Sequence, residues 1–128
     1  MIRLLTGEKG FTLVEIIAVM VILSVLAAVA IPRYMSLDEN ARQRAIDAGI
    51  AELNGRETLT WSNIKITNTG YTDDATLFPL LDTTLGGDYN WVDGSPDRAG
   101  GTLRFRTSTE VSLTRTESSD IQPGSWSR

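Results

Sequence analysis

Residues 11–31, FTLVEIIAVMVILSVLAAVAI, are apolar except for Thr12, Glu15 and Ser24. No other feature of this 128-residue chain limits its fold so strongly. At a helical rise of ~1.5 Å per residue the run covers about 31 Å, the thickness of a bilayer's hydrocarbon core. A single strand would leave its backbone groups unsatisfied in lipid, so the run is read as a membrane-inserting helix despite its many β-branched residues. Pro32 is expected to end or kink that helix, with Arg33 and Tyr34 following as an interfacial anchor. Upstream, Arg3 and Lys9 against Glu8 tilt the N-terminus toward the cytoplasmic side.

Glu15 separates this run from a plain anchor. A carboxylate costs roughly 2.5–3.5 kcal/mol at mid-bilayer and somewhat less near an interface. No cation lies within the run to compensate it. A cut between Gly10 and Phe11 would create an α-amino group one turn before Glu15, placed to neutralise the carboxylate of a neighbouring copy. Two plainer readings explain less. A generic single-pass anchor accounts for neither Glu15 nor the Gly10–Phe11 junction. An ordinary secretory signal finds its A-x-A pattern at Ala28-Val29-Ala30, giving a mature start at Ile31, but such a signal has a shorter and uncharged core.

The stretch GEKGFTLVEIIAVMVILSVLAAVAIPRY, Gly7 to Tyr34, closely resembles the start of type IV prepilins and of the pseudopilins of type II secretion. The resemblance implies a leader, residues 1–10, removed after Gly10 by a prepilin peptidase that also methylates Phe11. It implies an assembly role for Glu15 and matches Pro32 to the proline carried by such helices. It further implies an inner-membrane, single-pass protein that polymerises with copies of itself, through pilus or secretion machinery, into an extracellular pilus or a periplasmic pseudopilus.

Beyond the apolar run the pattern changes. In 33–53, Tyr34, Leu37, Ala41, Ala45 and Ala48 recur at helical spacing, joined by Ile46, Ile50 and Leu53 on an adjoining face, while charged residues fill the remainder. One face is expected to be buried, and the helix to end between residues 54 and 64, where Asn54-Gly55 offers one stop. Residues 62–86 read as a loop with at most a short helical turn around 75–81, whose Leu77, Phe78, Leu80 and Leu81 pack on the long helix. Three antiparallel strands follow, at 89–92, 102–106 and 110–114, with Leu103, Phe105, Val111 and Leu113 facing inward and the glycines at 86–87 and 100–101 in turns. The tail ESSDIQPGSWSR reads as loose, with Trp126 as its one docking residue. The expected division is a leader at 1–10, a transmembrane or filament-core helix at 11–32, and an amphipathic helix running into a small head at 33–128. The expected fold is α+β, a pilin-like lollipop with a long N-terminal helix and a small antiparallel sheet.

Composition narrows the chemistry. The chain has no His and no Cys, which removes imidazole catalysis, thiol chemistry, disulfides and the usual zinc sites. Lysine is limited to Lys9 and Lys65, and there is no phosphate-binding glycine motif, so no enzyme is expected. No cofactor is expected either, apart from calcium. Asp88, Asp93 and Asp97 are candidate calcium ligands, although they do not follow EF-hand spacing and read as well as turn residues. The resemblance keeps calcium open, because some major pseudopilins fix their C-terminal loop with it in place of a disulfide. Arg104 and Arg106 share a strand face and, with Trp126, suggest a second reading as a minor tip or uptake subunit touching DNA or a secreted substrate. A net charge of −4 argues against nucleic acid as the main partner.

Overall fold

The structure, a computed structural model, describes residues 10–128. The expected leader therefore lies outside the described residues except for Gly10. Two compact units divide between Asp38 and Glu39, and each is described by itself.

The first unit holds the start of helix α1, Leu13–Lys65. Strong helix formers such as Leu and Ala alternate with β-branched residues, and no Gly interrupts the run from Phe11 to Ile31. Pro32 lies inside α1, so the helix does not end there. A proline removes one backbone donor, and the helical propensity of both flanks carries the helix past it. The stretch is apolar enough to cross a membrane, and its hydrophobic side chains are exposed.

In the second unit α1 continues to Lys65, one residue beyond the expected range. Asn54-Gly55 does not stop it, because Leu53 and Glu57 on either side are buried and hold the backbone in register. The true end has its own signals: Thr67 Oγ1 donates to the Ile64 carbonyl at 2.7 Å, and Gly70 adopts a left-handed φ of 66°. A short helix α2, Asp74–Leu77, is capped by Asp73, whose carboxylate accepts from the Thr76 N–H at 2.8 Å. One 3₁₀ turn, Phe78–Leu80, follows.

Four strands then form one antiparallel sheet in chain order: β1 Tyr89–Trp91, β2 Gly100–Phe105, β3 Val111–Thr116 and β4 Ser125–Ser127. Leu103 lies opposite both Trp91 and Val111, and Arg115 opposite Trp126. The core joins Ile46 and Leu53 of α1 to Leu81, Leu103, Leu113 and Trp126. Gly49 is buried because a side chain there would meet the Tyr89 ring at 2.9 Å, and Tyr89 in turn donates its hydroxyl to the Ala45 carbonyl at 2.7 Å.

Several expectations are corrected. The buried face of α1 is Ile46, Gly49, Leu53 and Glu57; Tyr34, Leu37, Ala41 and Ala48 are exposed. Small alanines gave that stripe its apolar look, but the sheet sits over the longer side chains on the adjoining face. Leu80 is 64% exposed, while Leu77 and Leu81 are buried as expected. Gly100 and Gly101 begin β2 instead of forming a turn. A Cβ at Gly100 would lie 2.0 Å from the Leu113 carbonyl oxygen, so the strands approach more closely there than any side chain allows. Arg106 leaves the strand in a left-handed conformation, φ 52°. The tail is no loose end: its β4 makes a fourth strand, and Trp126 is 2% exposed.

Candidate functional site

The three polar residues that interrupt the apolar run are satisfied within it. Ser24 Oγ donates to the Met20 carbonyl at 2.7 Å. Thr12 and Glu15 satisfy each other: the Thr12 N–H and hydroxyl donate to Glu15 Oε2 at 2.9 and 3.0 Å, and the Glu15 N–H donates to Thr12 Oγ1 at 3.2 Å. This is a reciprocal capping box at the first turn of α1, with the negative charge at the positive end of the helix dipole. It answers in part how a carboxylate is kept in an apolar segment with no cation in the run. Both donors from Thr12 converge on Oε2, which leaves Oε1 outside the box. Gly10 and Phe11 precede it in non-helical conformation, and Phe11 is 82% exposed. Gly10, Phe11 and Glu15, expected to serve processing and assembly, thus lie with Thr12 at one helix start. The Thr-x-x-Glu spacing was visible in the sequence, but its capping role escaped a reading that sought only a cation for Glu15.

The calcium candidates are not gathered. Asp88 pairs with Arg106 at 3.1 Å. Asp97 accepts the N–H groups of Ala99 and Gly100 at 2.8 and 3.0 Å. Asp93 stands in the turn after β1. Among the described residues no group of three or more acidic side chains is placed to hold a metal ion. The arginines of the DNA reading are likewise engaged: Arg104 lies 3.5 Å from Glu110, and Arg106 faces Asp88 and the Phe105 ring. Trp126 is in the core, not on an outer face.

A second polar constellation lies inside the head and was missed entirely. Glu57 of α1, Asp74 of α2 and Arg115 of β3 are all buried. Arg115 grips Glu57 through Nε to Oε1 and through Nη2 to Oε2 at 3.2 Å, and grips Asp74 through Nη1 to Oδ2 at 2.9 Å and Nη2 to Oδ1 at 2.8 Å. Arg98 adds a second cation, 3.0 Å from Asp74. The guanidinium of Arg115 also lies 4.9 Å from the centre of the Phe78 ring. Burial pushes the Asp74 carboxyl up, but bonds from Arg115, Ser118 and Arg98 outweigh it and hold the group well below the usual carboxylate range. Burial likewise opposes the charge on Arg115, and its two carboxylate partners more than restore it.

Comparison with known proteins addresses the helix start. The prokaryotic N-terminal methylation motif matches residues 5–31. The N-terminal segment is thus similar to that of type IV pilins. A pilin relative, the type IV narrow pilus major component PilA5 of Thermus thermophilus, is 46% identical over 43 residues. Those residues are 34% of this chain and 37% of the relative, so the likeness spans just over a third of that pilin's length. No solved structure matches the chain. For this pilin-like chain the α+β architecture, a long apolar N-terminal helix with a C-terminal antiparallel sheet, agrees with the expected fold class.

Proposed function

We propose that the chain is a structural subunit of a type IV pilus or pseudopilus-like filament. In this reading residues 1–10 are a leader, residues 11–32 anchor the subunit in the inner membrane and later form the filament core, and residues 33–128 carry the head outside. A prepilin peptidase cuts after Gly10 and methylates Phe11, and assembly machinery then moves the helix from lipid into a bundle of its own copies. The observation that carries the reading is Glu15: a carboxylate in the first turn of α1, in an otherwise apolar, exposed stretch, the fifth residue after the Gly10–Phe11 junction. The name of the Thermus relative, a major pilus component, supports a main filament subunit over a scarce tip subunit. The family is structural, which supports a role without catalysis.

Thr12 holds Glu15 while the subunit waits in lipid, and the α-amino group of Phe11 on a neighbouring copy pairs with the carboxylate in the filament. Attraction across a low-dielectric core then sets the axial register of the incoming chain. Glu15→Leu tests this directly. The variant is expected to insert, to be cut after Gly10 and to accumulate normally, yet to form few filaments, because it loses register while gaining compatibility with lipid. Filaments of normal number and length from Glu15→Leu alone would remove the pairing role. Mass spectrometry of the wild-type N-terminus is expected to give methylated Phe11; a start at Ile31 would replace this reading with ordinary secretion.

A further inference from the structure

We propose that residues 117–128 form a strap, fastened across the head by the Glu57–Arg115–Asp74 cluster and an amide clamp from Asn54, and that this fastening closes the C-terminal segment without a bound cation.

The strap has little else to hold it. Its ladder pairing is confined to the three residues of β4, and Ile121 at its middle is 86% exposed, leaving Trp126 as its one buried apolar side chain. A three-residue edge strand with one apolar anchor is a weak attachment. The polar contacts are numerous by contrast, and nearly all reach back to α1 or to residues 71–74. Ser118 donates its N–H and hydroxyl to Asp74 Oδ1 at 2.8 and 2.7 Å. The Ser119 carbonyl accepts from the Trp61 indole at 2.8 Å, and Asp120 pairs with Lys65 at 2.6 Å. The Trp126 indole donates to Glu57 Oε1 at 3.0 Å. Asn54 completes the fastening: its Oδ1 accepts the Trp126 N–H at 2.6 Å and its Nδ2 donates to the Trp126 carbonyl at 3.1 Å.

The same buried carboxylates therefore hold both β3 and the strap. Asp74 is shared by Arg115 and Ser118, and Glu57 by Arg115 and Trp126. The buried carboxylates Glu57 and Asp74 are matched by Arg115 and the half-exposed Arg98, and the exposed Glu117 of the strap shares Arg98 at 2.8 Å, so the buried part of the cluster is balanced and the excess charge lies in solvent. The cluster closes on itself and needs no divalent ion to balance it. The strap also has to pass close by. A Cβ at Gly124 would stand 2.9 Å from both Arg115 Nη2 and Glu57 Oε2, and 3.0 Å from the Thr116 carbonyl oxygen. Any side chain at 124 wedges the strap away from its fastening.

Hydrogen–deuterium exchange of the full chain in detergent tests the proposal. Wild-type amides in 117–128 are expected to be protected, and equally so in calcium chloride and in EDTA. Gly124→Val is expected to speed exchange in 117–128 by about tenfold, the effect of losing one charge-assisted bond, with much less change in β2. Should Gly124→Val fail to fold, Asn54→Ala removes only the clamp and is expected to act on the same segment. The proposal is overturned if the strap exchanges at the wild-type rate in the variants, if β2 opens together with it, or if calcium raises its protection and EDTA removes it.

Discussion

Arg115 has no exposed side-chain surface, and neither has Glu57. A buried charge is tolerated only when its partners are present, so truncating Arg115 leaves Glu57 without a cation and Asp74 with Arg98 alone, and is expected to cost about 3–5 kcal/mol, read as loss of cooperative thermal unfolding. The pH dependence follows from Asp74. Its carboxyl is held below the usual range in the folded head, so its stabilisation is complete above the unfolded value near ~4 and disappears as the pH falls further. Asp74→Asn should lower stability at pH 7 and flatten the acid limb of a melting-temperature profile. At Gly49 the added methyl of Gly49→Ala meets Tyr89 Cε1 at 2.9 Å and Leu85 Cδ1 at 3.3 Å, so the expected loss is about 1–3 kcal/mol despite the better helix propensity of alanine. None of these roles is visible locally in the sequence. Glu57 sits among Arg56, Thr58 and other polar residues, and Arg115 in the alternation VSLTRT falls on an inward position that is normally apolar. Only the fold brings the two to each other across 58 positions of chain.

At the level of elements, α1 does two jobs within one helix. Its early part carries apolar side chains with no protein cover, and its later part supplies Ile46, Leu53 and Glu57 to the head. A chain shortened to start at Met35 keeps all three and should melt cooperatively as a soluble monomer. One shortened to start at Gly55 loses Ile46 and Leu53 and should not; equal cooperativity of the two by circular dichroism would mean that the sheet holds itself together. The sequence made the elements legible in proportion to how local their causes are. The membrane-length run and the alternation in TLRFR and EVSLT were readable because periodicity alone reports them. The buried face of α1 was misplaced because alanines mark a helix face as apolar without saying that anything covers it. Strand β4 was missed because SWS carries one apolar residue, and what fixes it, Asn54 and Glu57, lies some seventy positions away.

On the scale of the whole molecule, the region near the N-terminus carries its motif within six residues, Gly10 to Glu15, although the capping of Glu15 by Thr12 went unread there. The head was legible as a class of structure but not in its fastening. One feature of that fastening bears on how closely copies of the head can be crowded. A small sheet ends in two edges, and an edge with unpaired N–H and carbonyl groups recruits strands from other molecules. At the β4 edge the side-chain amide of Asn54 occupies the donor and acceptor of Trp126 as a further strand would. The opposite edge, β1, is three residues long. Heads crowded at high density would then be unable to zip sheet to sheet. Asn54→Ala heads concentrated in vitro should accordingly bind amyloid-sensitive dyes and sediment, where wild-type heads stay dispersed: a single amide would be what separates an orderly reservoir from a tangle.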